Sequence, residues 1–293
     1  LSALLARLAR LTPNTDRILA QPLHSFKKEP FTTDIRGQFI LLGCGTSVGV
    51  PALGCGCAVC QGGVPRNQRT RCSAILGLPE GNLLIDTSPD LRMQLLREKL
   101  GIVHAVIFTH EHSDHLMGFD DIRLFQFYLG APIPIYCNQH VERRLKTAFD
   151  YVFSDEPTTH VGAIPAIEIH PIDTAPIEIL GANVIPIPLK HGPRFDVLGF
   201  RVGNIAYCTD VNQVPQSSME LLQGLDVLIL DALRPAPHVT HFNIEQATDI
   251  AQQLKPKQTY LTHCSCFIDY DATNEQLPPG IEVAYDGLRF PLT

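Results

Sequence analysis

The sequence lacks an excess of positive charge: 23 Lys and Arg face 30 Asp and Glu, a formal net charge of -7. That removes the electrostatic footprint expected of a chain that tracks a nucleic-acid backbone. It also lacks low-complexity tracts and short-period repeats, which excludes a solenoid. No apolar run is long enough to span a bilayer, since Leu1, Leu4, Leu5, Leu8 and Leu11 are interrupted by Arg7 and Arg10. Their spacing predicts an amphipathic helix. The stretch is also free of acids until Asp16, which leaves a mitochondrial-type presequence as a lesser alternative. No secretory h-region is present. The nine cysteines, an odd number with several clustered, therefore favour metal ligation over a disulfide framework, and a cytoplasmic protein is expected.

What is there is an ordinary apolar content of 45% over 293 residues, enough for one large α/β domain or two modest ones. Residues 1–36 read as a helix followed by an arm rich in Pro, Thr and charge, and residues 37–293 as the domain. "QFILLG", "SAILGL", "NLLIDT", "HAVIFT", "IPIY", "IEILGANVIPIPL", "VLGFRV", "NIAYCTD", "DVLILD" and "QTYLT" read as strands. Pro79, Glu80 and Gly81 are expected in a hairpin turn. Helices are expected at "DLRMQLLREKL", 117–129, 139–150 and "NIEQATDIAQQL". So many strands before each helix argue against a doubly wound sheet and for a four-layer αββα sandwich built from two β-rich halves.

"FTHEHSDHLMG" sets His110, His112, Asp114 and His115 directly after a strand. From extended backbone His110 and His112 point the same way, while Asp114 and His115 follow the turn. Imidazoles and carboxylates so spaced can reach two metal ions. A solvated polar loop is a poor account of three histidines and an aspartate in six residues.

H-x-H-x-D-H is the signature of the metallo-β-lactamase superfamily, which this chain resembles. The family's later ligands match His191 in "PLKHG", Asp210 in "AYCTD" and His263 in "YLTH". The resemblance implies one metal held by His110, His112 and His191, another held by Asp114, His115 and His263, and Asp210 bridging them with a water or hydroxide as nucleophile. Asp114 is thus counted with the catalytic residues. Aspartate at 210, where β-lactamases of this fold tend to carry cysteine, favours the hydrolase and phosphodiesterase members. Two close metals lower the pKa of a bridging water and neutralise an anionic phosphorus centre, both of which phosphodiester hydrolysis needs. Ligand type leaves zinc, manganese, iron or nickel open, with zinc or manganese preferred.

"LGCGCAVCQ" adds Cys55, Cys57 and Cys60, three thiolates that want a fourth ligand for a closed structural zinc site. A redox Cys57–Cys60 pair is the alternative, and leaves Cys55 unexplained. "LLGCGTSVGVPALGCGCAVC", "RTRCSAIL", "LLIDTSPDL" and "AYDGLRF" closely resemble the accessory phosphodiesterases of the carbon–phosphorus lyase pathway, which act on small, notably cyclic ribose, phosphodiesters. There the fourth zinc ligand is a histidine three residues after the last catalytic one. Here that position is Cys266, an acceptable swap that implies a site of Cys55, Cys57, Cys60 and Cys266. Cys264 would hold nothing, and Cys44, Cys72, Cys137 and Cys208 are expected to be buried thiols.

In the resembling family a histidine just before a helix protonates the leaving group or steadies phosphate. His241 occupies that position, with His238 as runner-up. The leading expectation is a dinuclear metallohydrolase of small phosphodiesters, with nucleic acid and membrane disfavoured as partners and a homodimer left open. An RNA-processing nuclease of the same superfamily would carry a basic arm, absent here. A thioester hydrolase would want a C-terminal helical domain, and a non-enzymatic member would be expected to have lost ligands.

Overall fold

The computed structural model describes residues 29–160 and 162–293. The helix expected at the N-terminus, and most of the arm, lie outside the described residues. The last of the arm packs on the domain: Ile35 is buried and Arg36 pairs with Gly77.

Period-two alternation builds the layers. In β1 (Gln38–Gly43), Phe39 and Leu41 enter the core between the sheets. Ile40 and Leu42 enter the core between the first sheet and its helices. Both faces are buried, so the strand reads as a continuous apolar run rather than as polar–apolar alternation. β2 (Ser73–Leu78), β3 (Gly81–Ile85), β4 (Ala105–Ile107), β5 (Ile133–Cys137) and β6 (Ile167–Pro171) follow. The second sheet holds β7 (Ile177–Ile179), β8 (Ala182–His191), β9 (Phe195–Val202), β10 (Ile205–Cys208), β11 (Val227–Asp231), β12 (Gln258–Thr262) and β13 (Ile281–Val283). β14 (Arg289–Pro291) crosses back to pair antiparallel with β1. Among the described residues each sheet has seven strands, ordered 14-1-2-3-4-5-6 and 13-12-11-10-9-8-7.

A third core, including Leu189, Ala206, Leu228, Leu230, Ala247, Ala251 and Leu261, lies between the second sheet and its helices. Three apolar interfaces separate four layers, the αββα sandwich expected.

Some elements differ from the sequence reading. Gly81 opens β3 opposite Leu78 instead of sitting in the turn. "IEILGANVIPIPL" is two strands, folded back where Leu180 and Gly181 have φ of 50° and 74°, the left-handed pair of a tight hairpin. The sequence reading does not include β6, whose five residues alternate in "IEIH", nor β13 and β14, whose three residues each are too few for a periodic signal. The halves are also not independent, because β14 belongs to the first sheet.

β3 to β6 run parallel, as do β10 to β13. Their C-terminal ends therefore open onto one edge of the sandwich, where such sheets place ligands.

Candidate metal centre

Each polar group at this edge is delivered by the end of a strand. Asp86 follows β3, His191 ends β8, Asp210 follows β10, Asp231 ends β11 and His263 follows β12. His112 keeps extended backbone (φ -71°, ψ 152°) before the one-turn helix Ser113–Leu116, which carries Asp114 and His115. Asp86, Asp210 and His263 adopt φ of 61°, 55° and 57°, a left-handed conformation that costs about 1–3 kcal/mol for a non-glycine residue. Three such residues together at strand ends mark a site where geometry outranks local comfort.

The ligand atoms of His110, His112, His191 and Asp210 lie within 4.8 Å of one another, as do those of Asp114, His115, Asp210 and His263. Asp210 belongs to both groups. Its carboxylate is 3.8 Å from His110 Nε2, 3.3 Å from His115 Nε2, 3.9 Å from His191 Nε2 and 3.4 Å from His263 Nε2.

Outer partners fix the rings. His115 Nδ1 donates to Asp86 Oδ2 at 2.7 Å, and Thr109 gives the same carboxylate its N–H and hydroxyl. Because that hydroxyl donates to Asp86, it accepts from His110 Nδ1 at 2.9 Å. His191 Nδ1 donates to the Thr240 carbonyl at 2.7 Å. In all three the Nε2 lone pair is left facing inward, the usual arrangement of metal-ligating histidines. His112 differs: its Nδ1 lies 3.0 Å from His110 Nε2, so it offers the other nitrogen. Asp86 and Asp231 had no role in the sequence reading. The available signal was a carboxylate closing an apolar strand, in "LLID" and "LILD".

The electrostatics ask for a cation. Burial pushes His110 well below the ordinary imidazole value, with His115 adding to the shift. Burial also opposes a charge on His263, but Asp210 and Asp114 overcome it and hold its pKa up to about 9. Yet His115 Nε2 and both nitrogens of His263 are buried without a hydrogen-bond partner. Unpartnered imidazole nitrogens converging on shared carboxylates are a donor set that fits divalent metal.

The second cluster is separate. The sulfurs of Cys55, Cys57, Cys60 and Cys266 lie within 4.8 Å of one another. The Cys60 N–H donates to Cys57 Sγ and the Ala52 N–H to Cys60 Sγ, each at 3.4 Å. The Cys60 N–H is the main reason that the Cys57 thiol falls to about 7. Burial pushes the Cys60 and Cys266 thiols up instead, and the four converging sulfurs fit a closed tetrahedral site. Cys264 stands apart, fully buried and donating to the Leu261 carbonyl. Cys44, Cys72, Cys137 and Cys208 are buried free thiols.

His241 Nδ1 donates to Asp231 Oδ2 at 2.6 Å. Its ring stacks on His263 at 4.5 Å and meets His191 edge-on at 4.6 Å. It is thus built against both metal-ligand groups. The capping box of Asn243, two residues later, and Gln246 starts the helix Ile244–Leu254 and fixes the entry of the chain.

A family model described as "Beta-lactamase superfamily domain" matches residues 81–264, which include both His and Asp groups. The chain belongs to the metallo-β-lactamase superfamily. Within it, the chain is similar to a diphosphatase from the PhnP family, at 42% identity over 86% of this chain and 96% of that one, with a TM-score of 0.80. It is 34% identical over 253 residues to an octanoyltransferase of Porphyromonas gingivalis (strain ATCC BAA-308 / W83), covering 85% of this chain and 50% of that protein. The chain thus spans about half the length of this curated relative. Zn(2+)-bound PqqB from Methylobacterium extorquens shares the fold, at 18% identity over 87% of this chain and all of that one (TM-score 0.71). Superfamily membership and the two His/Asp groups support a metal-dependent hydrolase. Among the described residues no helix is long and apolar enough to cross a membrane.

Proposed function

We propose that the chain hydrolyses small phosphodiesters with two divalent ions, zinc or manganese, at His110, His112, His191 and at Asp114, His115, His263, sharing Asp210. One structural zinc is assigned to Cys55, Cys57, Cys60 and Cys266. The observation that carries the reading is the Asp210 carboxylate within 3.3–3.9 Å of imidazoles from both groups, beside the His241–Asp231 pair. The 42% identity to a diphosphatase supports phosphorus chemistry over lactam or thioester chemistry.

Two cations held there would supply Lewis-acid neutralisation of the phosphate and an activated water. The chain's own residues do the rest. His241 is clamped through Nδ1 by Asp231, whose Oδ2 also accepts the Val211 N–H at 2.8 Å. Its Nε2 then carries the proton given to the departing alkoxide, and Asp231 stabilises the imidazolium that precedes transfer. Thr109, Asp86 and the Thr240 carbonyl hold their rings without rearrangement, so the site is preorganised before substrate arrives. Small esters are preferred because no Lys/Arg-rich insertion offers a surface for a long polyanion.

Metal analysis per chain with a panel of model phosphodiesters, phosphomonoesters, thioesters and β-lactams tests the reading. Diesterase activity with about three metals bound supports it. Faster turnover of octanoyl or other thioesters, or of lactams, sinks it.

A further inference from the structure

His241 and His238 are three residues apart, but the structure gives them different chemistry. His241 donates from Nδ1 to a carboxylate. His238 accepts at Nδ1: the Thr240 N–H points at it at 3.3 Å, and the Thr240 hydroxyl lies at 3.2 Å. A nitrogen that accepts a backbone N–H cannot hold the ring proton of a neutral imidazole, so that proton sits on Nε2. Nε2 makes no hydrogen bond to the described residues.

The ring is also placed with care. His263, His241 and His238 form a ladder with centroid spacings of 4.5 and 5.2 Å, leading outward from the ligand groups. The loop that carries His238 is fastened along its length. Arg234 donates to the carbonyls of Ala236 and Pro237, Asn212 to that of Val239 at 2.9 Å, and His191 to that of Thr240. Val239 itself is 72% exposed, so the loop stands at the rim rather than in the core. A surface loop held this firmly is positioned for recognition.

Resting on the hydrolase reading above, we propose that His238 is a specificity-determining residue. It donates Nε2–H to an acceptor oxygen of the substrate one group beyond the reacting phosphorus, such as a sugar hydroxyl or a second phosphate. His241 alone moves a proton. His238 therefore selects diesters whose second substituent carries an oxygen acceptor at that distance, and does nothing for diesters that end in an alkyl group.

The test uses the metal-loaded protein and two probes, thymidine 5′-(p-nitrophenyl phosphate) and methyl p-nitrophenyl phosphate. For His238→Ala the expected result is KM raised about tenfold on the nucleoside ester, the loss of one hydrogen bond. Its kcat, pH profile and metal content, and turnover of the methyl ester, stay at the wild-type level. His238→Gln, whose amide can return a donor near Nε2, recovers most of the KM. Equal loss on both esters, a changed pH profile, or no recovery by Gln overturns the assignment. Nitrogen-15 imidazole shifts supply a readout independent of turnover: a proton on Nε2 of His238, perturbed by thymidine 5′-monophosphate, is expected. A proton on Nδ1, or no perturbation, overturns it. Failure of the wild-type protein to cleave either ester would instead count against the phosphodiesterase reading, with the nitrogen shifts still deciding the role of His238.

Discussion

Asp86 Oδ2 lies 2.7 Å from His115 Nδ1, and both side chains are fully buried. The pair sets which nitrogen of His115 faces Asp114 and Asp210. Asp86→Asn would keep the acceptor for the Thr109 N–H, tolerate the left-handed backbone and turn an amide N–H toward the His115 proton. Metal affinity of the Asp114–His115–His263 group is expected to fall about 10–100-fold with the fold retained. Metal titration followed by circular dichroism checks this, and unchanged affinity would rule out the orienting role of Asp86.

His241→Ala is expected to keep full metal content while kcat drops about 10²–10⁴-fold on esters with poor leaving groups. Esters of acidic phenols should lose least, because they depart without a proton. A drop of equal size across a leaving-group series would assign His241 to phosphate binding instead.

Cys266→Ser should release one metal equivalent and lower Tm, whereas His263→Ala should leave the thiolate site filled and remove activity. Cys266→His should refill the site, since imidazole replaces thiolate in tetrahedral zinc sites. Retention of every metal and of full stability by Cys266→Ser would separate that cysteine from the site.

The pKa of His263 gives a pH prediction with a definite sign. It is raised from 6.5 to about 9 as burial is overcome by Asp210 and Asp114. In the metal-free chain that stabilisation is complete below pH 6.5 and disappears as pH rises through 9. Metal binding must displace the same proton, so affinity should climb with pH over that interval. Tm of the metal-free and loaded forms across this range should diverge, the loaded form gaining relative to the free one; a constant gap would contradict the shift.

Much of this was legible in the sequence because the ligand-bearing residues sit at strand ends, where an apolar run stops at His, Asp or Cys. His110 is read that way from its own cluster, the family resemblance implies His191, Asp210 and His263 at later strand ends, and the four converge. The layers were legible because runs such as "FILL" are apolar on both faces. What sequence concealed were relationships fixed by pairing across the sheets. Asp86 and Thr109 meet through the β3–β4 register, and Asp231 faces His241 because β11 stops beside the loop before Ile244–Leu254. β14 joins β1 over a separation no local pattern encodes. The histidines at 241 and 238 could not be ranked until their Nδ1 partners, a carboxylate and an amide, were known.

The four sulfurs of the cysteine cluster also bear on how the molecule is made. Cys57 and Cys266 are 209 positions apart, so three of the sulfurs are synthesised early and wait for the fourth. Nothing local can bring them together; β12 must first dock beside β11 in the second sheet. A chain arrested before that strand emerges has only three of the four sulfurs. Closure of the cluster is therefore a late event in biogenesis, one that reports to the early loop that the far end of the second sheet has arrived.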